Sequence, residues 1–194
     1  MRNYLLAALL AGVATTPAMA QDTAPFSGPR VEGIVGYDTT DVEGENSDGV
    51  AYGVGVGYDF QARGGAVFGV EAEASDSTVD ECVNDVDVVG DQLCAKAGRD
   101  LYIGGRVGAA VSPNMLVYGK AGYSNARVGL DYEDGTSSDA LDFDEGENLD
   151  GIRVGAGLEF ALGPNSYAKT EYRYSNYEQG FDRHQVVAGF GFRF

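Results

Sequence analysis

The residues with chemistry to offer are charged side chains set at alternate positions inside otherwise apolar segments. The acids are Glu32, Glu71, Glu73, Glu159 and Glu171, and the bases are Arg106, Lys120, Arg153, Lys169, Arg173 and Arg193. A spacing of two puts charges within a strand on one face, opposite the apolar residues between them. The two sets nearly balance, which predicts ion pairs in a shared interior, because a lone buried charge costs several kcal/mol or more. Two readings follow from the same residues: a lumen plugged by salt bridges, or a narrow, gated pore lined by them.

Other candidate groups lie between the alternating segments. Cys82 and Cys94 are the only cysteines, and in an exported chain they predict a disulfide closing one loop, contributing about 3 kcal/mol by loop closure. No His or further Cys stands near them to suggest zinc. Acids crowd the same connections, at Asp41, Glu43, Glu45 and Asp48, at Asp80, Glu81, Asp85, Asp87 and Asp91, and from Asp131 through Glu147. Asp142, Asp144 and Asn148 have the spacing of a weak calcium loop without its full pattern. The plainer expectation is solvated acid that divalent ions bridge to anionic lipopolysaccharide. No metal or cofactor is otherwise expected. The run Gly53-Val-Gly-Val-Gly57 is no phosphate loop, since strand alternation passes straight through it and no helix follows.

Eight segments must position these groups. They run over 30–38, 51–60, 66–75, 100–111, from Met115 onward, and over 151–162, 167–175 and 184–194. Each alternates; in the last, Val186, Ala188, Phe190, Phe192 and Phe194 oppose Gln185, Val187, Gly189, Gly191 and Arg193. Arg30 shares a face with Glu32. Glycines leave the polar faces of the second, fourth and eighth segments bare, making room for long Arg and Lys side chains. Beyond the fifth segment, residues 127–130 change phase, which predicts a bulge. Tight turns are expected at 61–65, 112–114 and 163–165, the last two with Pro at a first corner. Long polar loops are expected at 39–50, 76–99, 131–149 and 176–183. Two hairpins echo each other, Arg106-Val-Gly-Ala with Lys120 and Arg153-Val-Gly-Ala with Lys169, at spacings that keep each base on its face.

The N-terminus reads as a signal peptide over 1–20, with a basic start, a short apolar run and Ala18-Met-Ala20 before the cut. A periplasmic leader at 21–29 follows, then one barrel domain at 30–194. The apolar run is too short to span a bilayer, and no later stretch is a transmembrane helix. The formal net charge of −17 excludes a nucleic-acid partner, which needs clustered bases.

Phe68-Gly-Val-Glu-Ala-Glu73, Val117-Tyr-Gly-Lys-Ala-Gly-Tyr123, Tyr167-Ala-Lys-Thr-Glu-Tyr-Arg-Tyr174 and the strand ending at Phe194 resemble the eight-stranded outer-membrane barrels. That family includes the opacity-type surface proteins and the transmembrane domain of outer-membrane protein A. The resemblance implies an all-β, eight-stranded antiparallel up-and-down transmembrane barrel in the outer membrane, with turns in the periplasm and loops outside. It implies that Phe190, Phe192 and Phe194 form the signal read by the barrel-assembly machinery. It further implies a monomer among outer-membrane lipid and lipopolysaccharide, with a structural or surface role; no C-terminal peptidoglycan-binding domain is expected, since the sequence stops at the barrel. Lipid A deacylases of similar size carry a Ser two positions after a His; here Val186 follows the sole His184, so no enzyme is expected. A narrow porin is the alternative. A soluble lipocalin-like carrier would need the charged faces outside and the Phe ladder inside.

Overall fold

The computed structural model describes residues 25–42, 45–84, 92–133, 143–178 and 181–194. Nine strands follow in order: β1 (Gly28–Val42), β2 (Glu45–Gln61), β3 (Ala66–Ser77), β4 (Asp80–Asn84), β5 (Gln92–Ser112), β6 (Met115–Glu133), β7 (Phe143–Ala161), β8 (Ser166–Tyr177) and β9 (Asp182–Arg193). Every pairing is antiparallel. Sequential neighbours pair, β3 joins β5, and β1 joins β9, which closes eight strands into a barrel with β4 as an extra ribbon on β5.

The register fixes the shape of this barrel. From Asp38, one row of paired residues passes through Gln185, Arg173, Gly155, Lys120, Arg106, Gly69 and Asp59, and returns to β1 at Gly28. The stagger is the ten residues between 38 and 28. Eight strands with that stagger tilt by about 40° and enclose a radius of about 8 Å, an interior that side chains fill.

The strands outrun their sequence boundaries. Val42 pairs with Glu45, and Tyr132 with Phe143, so much of the expected loops at 39–50 and 131–149 is hairpin, as is part of 76–99. Alternation of apolar residues stops where a strand leaves lipid, whereas backbone ladder bonds continue into water. The same effect explains residues 127–130. β6 stays in register with β7 through this stretch, and Arg127 is exposed as its odd number requires. The bulge lies on the facing strand instead, where Gly98 and Arg99 of β5 stand against Arg127 alone.

The outward face carries the apolar residues, as a strand in lipid requires. Tyr37, Tyr52, Tyr123 and Tyr172 stand exposed toward the loop end, while Phe60, Phe68, Phe160, Phe192 and Phe194 stand exposed toward the turn end. Inside, two small apolar clusters sit at opposite ends of the lumen. Phe26, Val67, Leu116 and Tyr118 occupy the turn end; Ala126, Leu149 and Tyr177, with Phe181, occupy the loop end. Between them the lumen is mostly charged, polar or glycine-lined, with Ile34 and Val187 as buried apolar exceptions.

Candidate functional site

All eleven charged residues singled out by strand parity are buried in the lumen, and five more join them: Arg30, Asp38, Asp59, Asp100 and Arg183. Each of the five continues an alternation already visible, Asp59 after Gly53, Gly55 and Gly57, and Arg183 before Gln185. Among the described residues the buried charges are thus eight bases and eight acids. Glycines opposite the longest side chains make this density possible. A Cβ on Gly57 would lie 3.0 Å from the Arg30 guanidinium, and one on Gly189 would lie 3.0 Å from Cε of Lys169.

The pairs fall into three tiers, each neutral by itself. In the tier nearest the turns, Arg106 and Arg193 share Asp59 and Glu159: Arg106 Nε donates to Asp59 at 2.8 Å and Nη1 to Glu159 at 3.0 Å, while Arg193 reaches both acids at 2.8 Å. The central tier holds Arg30, Lys120, Lys169 and Arg173 against Glu32, Glu71, Glu73 and Glu171. Lys120 Nζ lies 2.7, 2.8 and 3.1 Å from Glu71, Glu73 and Glu171. Lys169 Nζ lies 2.5 Å from Glu32, Arg173 2.9 Å from Glu73, and Arg30 bonds Glu71 and Glu32. Arg30 also reaches down to Asp59 at 3.1 Å and so ties this tier to the one below. Near the loop end, Asp100 takes Arg153 and Arg183, the latter at 3.0 Å, and Arg183 also holds Asp38.

Neutral donors complete the acids' shells. Tyr118 Oη donates to Glu171 at 2.6 Å, Tyr167 to Glu32 at 2.7 Å, and Ser124 and Tyr177 to Asp100 at 2.7 and 3.0 Å. Lys120 Nζ also sits 4.4 Å from the centre of the Tyr102 ring, a cation–π contact. The halves of the chain contribute unequally. β1 to β5 supply six of the eight acids with only Arg30 and Arg106, and β6 to β9 supply six of the eight bases with only Glu159 and Glu171. Ser75, Tyr102, Arg153 and Gln185 leave buried polar atoms with neither a hydrogen-bond nor an ion-pair partner, as does Nε of Arg193 in the tier nearest the turns. The register puts the first four within about 3 Å of one height, between the central and upper tiers.

A second polar pattern rings the outer rim. Tyr123 Oη and Asn125 Nδ2 both donate to Asp150, at 2.5 and 2.6 Å. Tyr174 and Asn176 do the same to Asp182, at 2.9 and 2.6 Å, and Thr39 donates to Asp48 at 3.0 Å. Asn125, Asn176 and Thr39 are the direct cross-strand partners of Asp150, Asp182 and Asp48. These bonds from Tyr123 and Asn125 hold the Asp150 carboxyl below the usual carboxylate range, and those from Asn176 and Tyr174 do so for Asp182. His184 sits at this rim, its Nδ1 2.7 Å from Tyr172 Oη.

The remaining sequence candidates are placed only in part. The backbone register sets Cys82 of β4 directly opposite Cys94 of β5. Asp142 lies outside the described residues, as do the signal peptide and the leader up to residue 24; Asn148 is exposed and accepts from Arg99 at 3.5 Å. Among the described residues no group of three His, Cys, Asp or Glu is arranged to hold a metal ion. The leader is not free of the barrel, for Phe26 is wholly buried in the turn-end cluster.

Comparison with known proteins bears on this architecture. Residues 6–194 match the family described as outer membrane protein beta-barrel domain. The 22 kDa outer membrane protein of Rhizobium leguminosarum bv. viciae is 32% identical over 164 residues, covering 76% of this chain and 70% of that protein. Neisserial surface protein A superposes with a TM-score of 0.61 at 16% identity, over 87% of this chain and 98% of that one. The attachment invasion locus protein of Yersinia pestis, solved with the heparin analogue sucrose octasulfate, gives 0.57 at 15% identity, over 86% and 99%. At such identities the two structural likenesses concern the fold.

Proposed function

We propose, for a chain that belongs to the outer membrane protein beta-barrel domain family, a closed barrel whose work is done by its acidic outer surface. Its setting is the outer membrane, among lipid and lipopolysaccharide, and its family is not one of enzymes. The observation that carries the reading is the neutrality of the lumen, tier by tier. A permeating ion meets no uncompensated side chain to replace its hydration, and each lumen charge already holds several short bonds. Apolar clusters at both ends add dry constrictions.

That neutrality supports an acidic outer surface. Removing eight acids and eight bases from the 30 and 13 of the sequence leaves 22 acids against 5 bases. In sequence, all of those acids but Asp22 belong to the loop ends of the strands and the connections between them. Such a surface repels polyanions and suits a cationic ligand, or divalent ions bridging to lipopolysaccharide phosphates. The Yersinia protein's heparin analogue is therefore a poor guide here. A Cys82–Cys94 disulfide stapling the β4–β5 ribbon, removal of residues 1–20, delivery by the barrel-assembly machinery through Phe190, Phe192 and Phe194, and a monomeric state complete the reading.

The test is ionic conductance of the refolded chain from Gln21 to Phe194 in a planar bilayer. Protein shown to be folded by its mobility on an unheated detergent gel is expected to be silent. Reproducible channels that shift with Lys120→Ala support the narrow porin instead. One observation favours that second reading, the level of unpartnered polar atoms at Ser75, Tyr102, Arg153 and Gln185, where water has most to gain by entering.

A further inference from the structure

The segment ahead of the first strand has a place in the lumen that no strand pattern requires. Phe26 is fully buried although it precedes β1, and its ring packs with Val67 of β3 and with Leu116 and Tyr118 of β6. Three contacts hold it there. Its backbone N–H donates to Gln61 Oε1 at 3.3 Å, Ser27 Oγ accepts from the Gln61 N–H at 2.8 Å, and Pro25 O accepts from Arg193 Nη1 at 3.2 Å. Arg193 is the same guanidinium that pairs Asp59 and Glu159, and it lies 5.8 Å from the Phe26 ring centre.

The turn into β1 is made by Gly28 at φ 119°. A Cβ at that position would stand 2.2 Å from the Phe194 carbonyl oxygen. Glycine is therefore needed twice, for the left-handed backbone and for the close approach of the two chain ends. The Phe194 N–H donates to Pro29 O at 2.9 Å across the same seam.

We infer that residues 25–27 form a cork, hinged at Gly28 and latched by Arg193, which keeps the periplasmic mouth of the barrel dry. This rests on the closed-lumen reading and names what closes its turn end. At the turn end the wall offers Val67 of β3 and Leu116 and Tyr118 of β6, an apolar patch covered on its lumen side by Phe26, and water and ions pass such an apolar constriction only if it widens or wets. Seating needs β3, β6 and β9 together, so the cork forms only on a barrel whose first and last strands have met.

The experiment uses the full mature chain with Cys82→Ser and Cys94→Ser, so that a Val67→Cys thiol is the sole label site. A small cationic methanethiosulfonate is the probe, applied to folded protein in detergent. With Phe26 present, labelling is expected to be slow; with Phe26→Gly it is expected to accelerate by on the order of tenfold, and Phe26→Leu is expected to stay slow. Equal rates with and without Phe26, whether fast or slow, overturn the cork. The chain has no Trp, so Phe26→Trp adds a single fluorophore that leaves the wall untouched. Blue-shifted emission poorly quenched by acrylamide is expected, and solvent-like emission overturns the seating. Channels in the unaltered chain would instead defeat the closed-lumen reading, a result separable from either labelling outcome.

Discussion

Asp100 and Asp150 each accept a tyrosine hydroxyl, yet they live under opposite rules. Asp100, in the lumen, is fully buried and is held by Arg153, Arg183, Ser124 and Tyr177. Asp150, on the rim, is exposed and takes only the neutral donors of Tyr123 and Asn125. Water is the difference. Where water is excluded, charge must be matched by charge, and the match extends to the whole lumen; where water is present, two hydroxyl or amide bonds suffice and the net charge runs free. The barrel wall thus separates a neutral ionic interior from rim carboxylates held by neutral donors.

The sharpest way to break the contrast is Asp100→Ala, which strips Arg153 of its carboxylate and leaves Arg183 with Asp38 alone. A loss of about 3–5 kcal/mol is expected, read as a lowered urea midpoint for unfolding from lipid vesicles. Crowding comes next. Gly57→Ala would set a methyl 2.9 Å from Val70 O and 3.0 Å from the Arg30 guanidinium, with an expected cost of about 1–3 kcal/mol in the same measurement. Exchanging Lys120 for Met should follow the lumen rule rather than the rim rule. It leaves Glu71, Glu73 and Glu171 short of one partner, and the unfolding midpoint is expected to fall.

Asp150→Asn is expected to lower the midpoint only slightly, because water replaces most of what the exposed site loses. The rim still has a pH signature. The Asp150 and Asp182 carboxyls are depressed in the folded state, so their bonds contribute above the unfolded carboxylate range and are lost as pH falls through the lower folded values. Carboxyl infrared or NMR titration of the rim should therefore show midpoints below those of free aspartate. Titration at or above the free value would erase the distinction between tethered rim acids and merely solvated ones.

How much of this was legible in the sequence follows from the period of two. Parity alone assigns Glu32, Glu71, Lys120 and Arg173 to one interior, because each sits between residues that lipid must touch. The same rule extends to Asp38, Asp59, Asp100 and Arg183, which lie at strand positions where the outward residues cease to be uniformly apolar, and there the alternation loses its marker. Arg30 was visible beside Glu32, but its partners across the lumen were not. The bulge was displaced from β6 to Gly98 and Arg99 because a bulge belongs to a pair of strands, and a single strand's pattern cannot say which member holds the extra residue. Phe26 had no periodic signal at all: its burial depends on a turn at Gly28 and on side chains from three distant strands.

The uneven split of lumen charge between the halves of the chain bears on how the barrel is built. Strands β1 to β5 bring an interior with a surplus of four negative charges, and β6 to β9 one with a surplus of four positive charges. Neither half can leave water alone without carrying that surplus into a medium that punishes it. Each is the other's counterion. Insertion therefore favours a late, concerted closure in which the two four-stranded halves attract across the β1–β9 and β5–β6 seams.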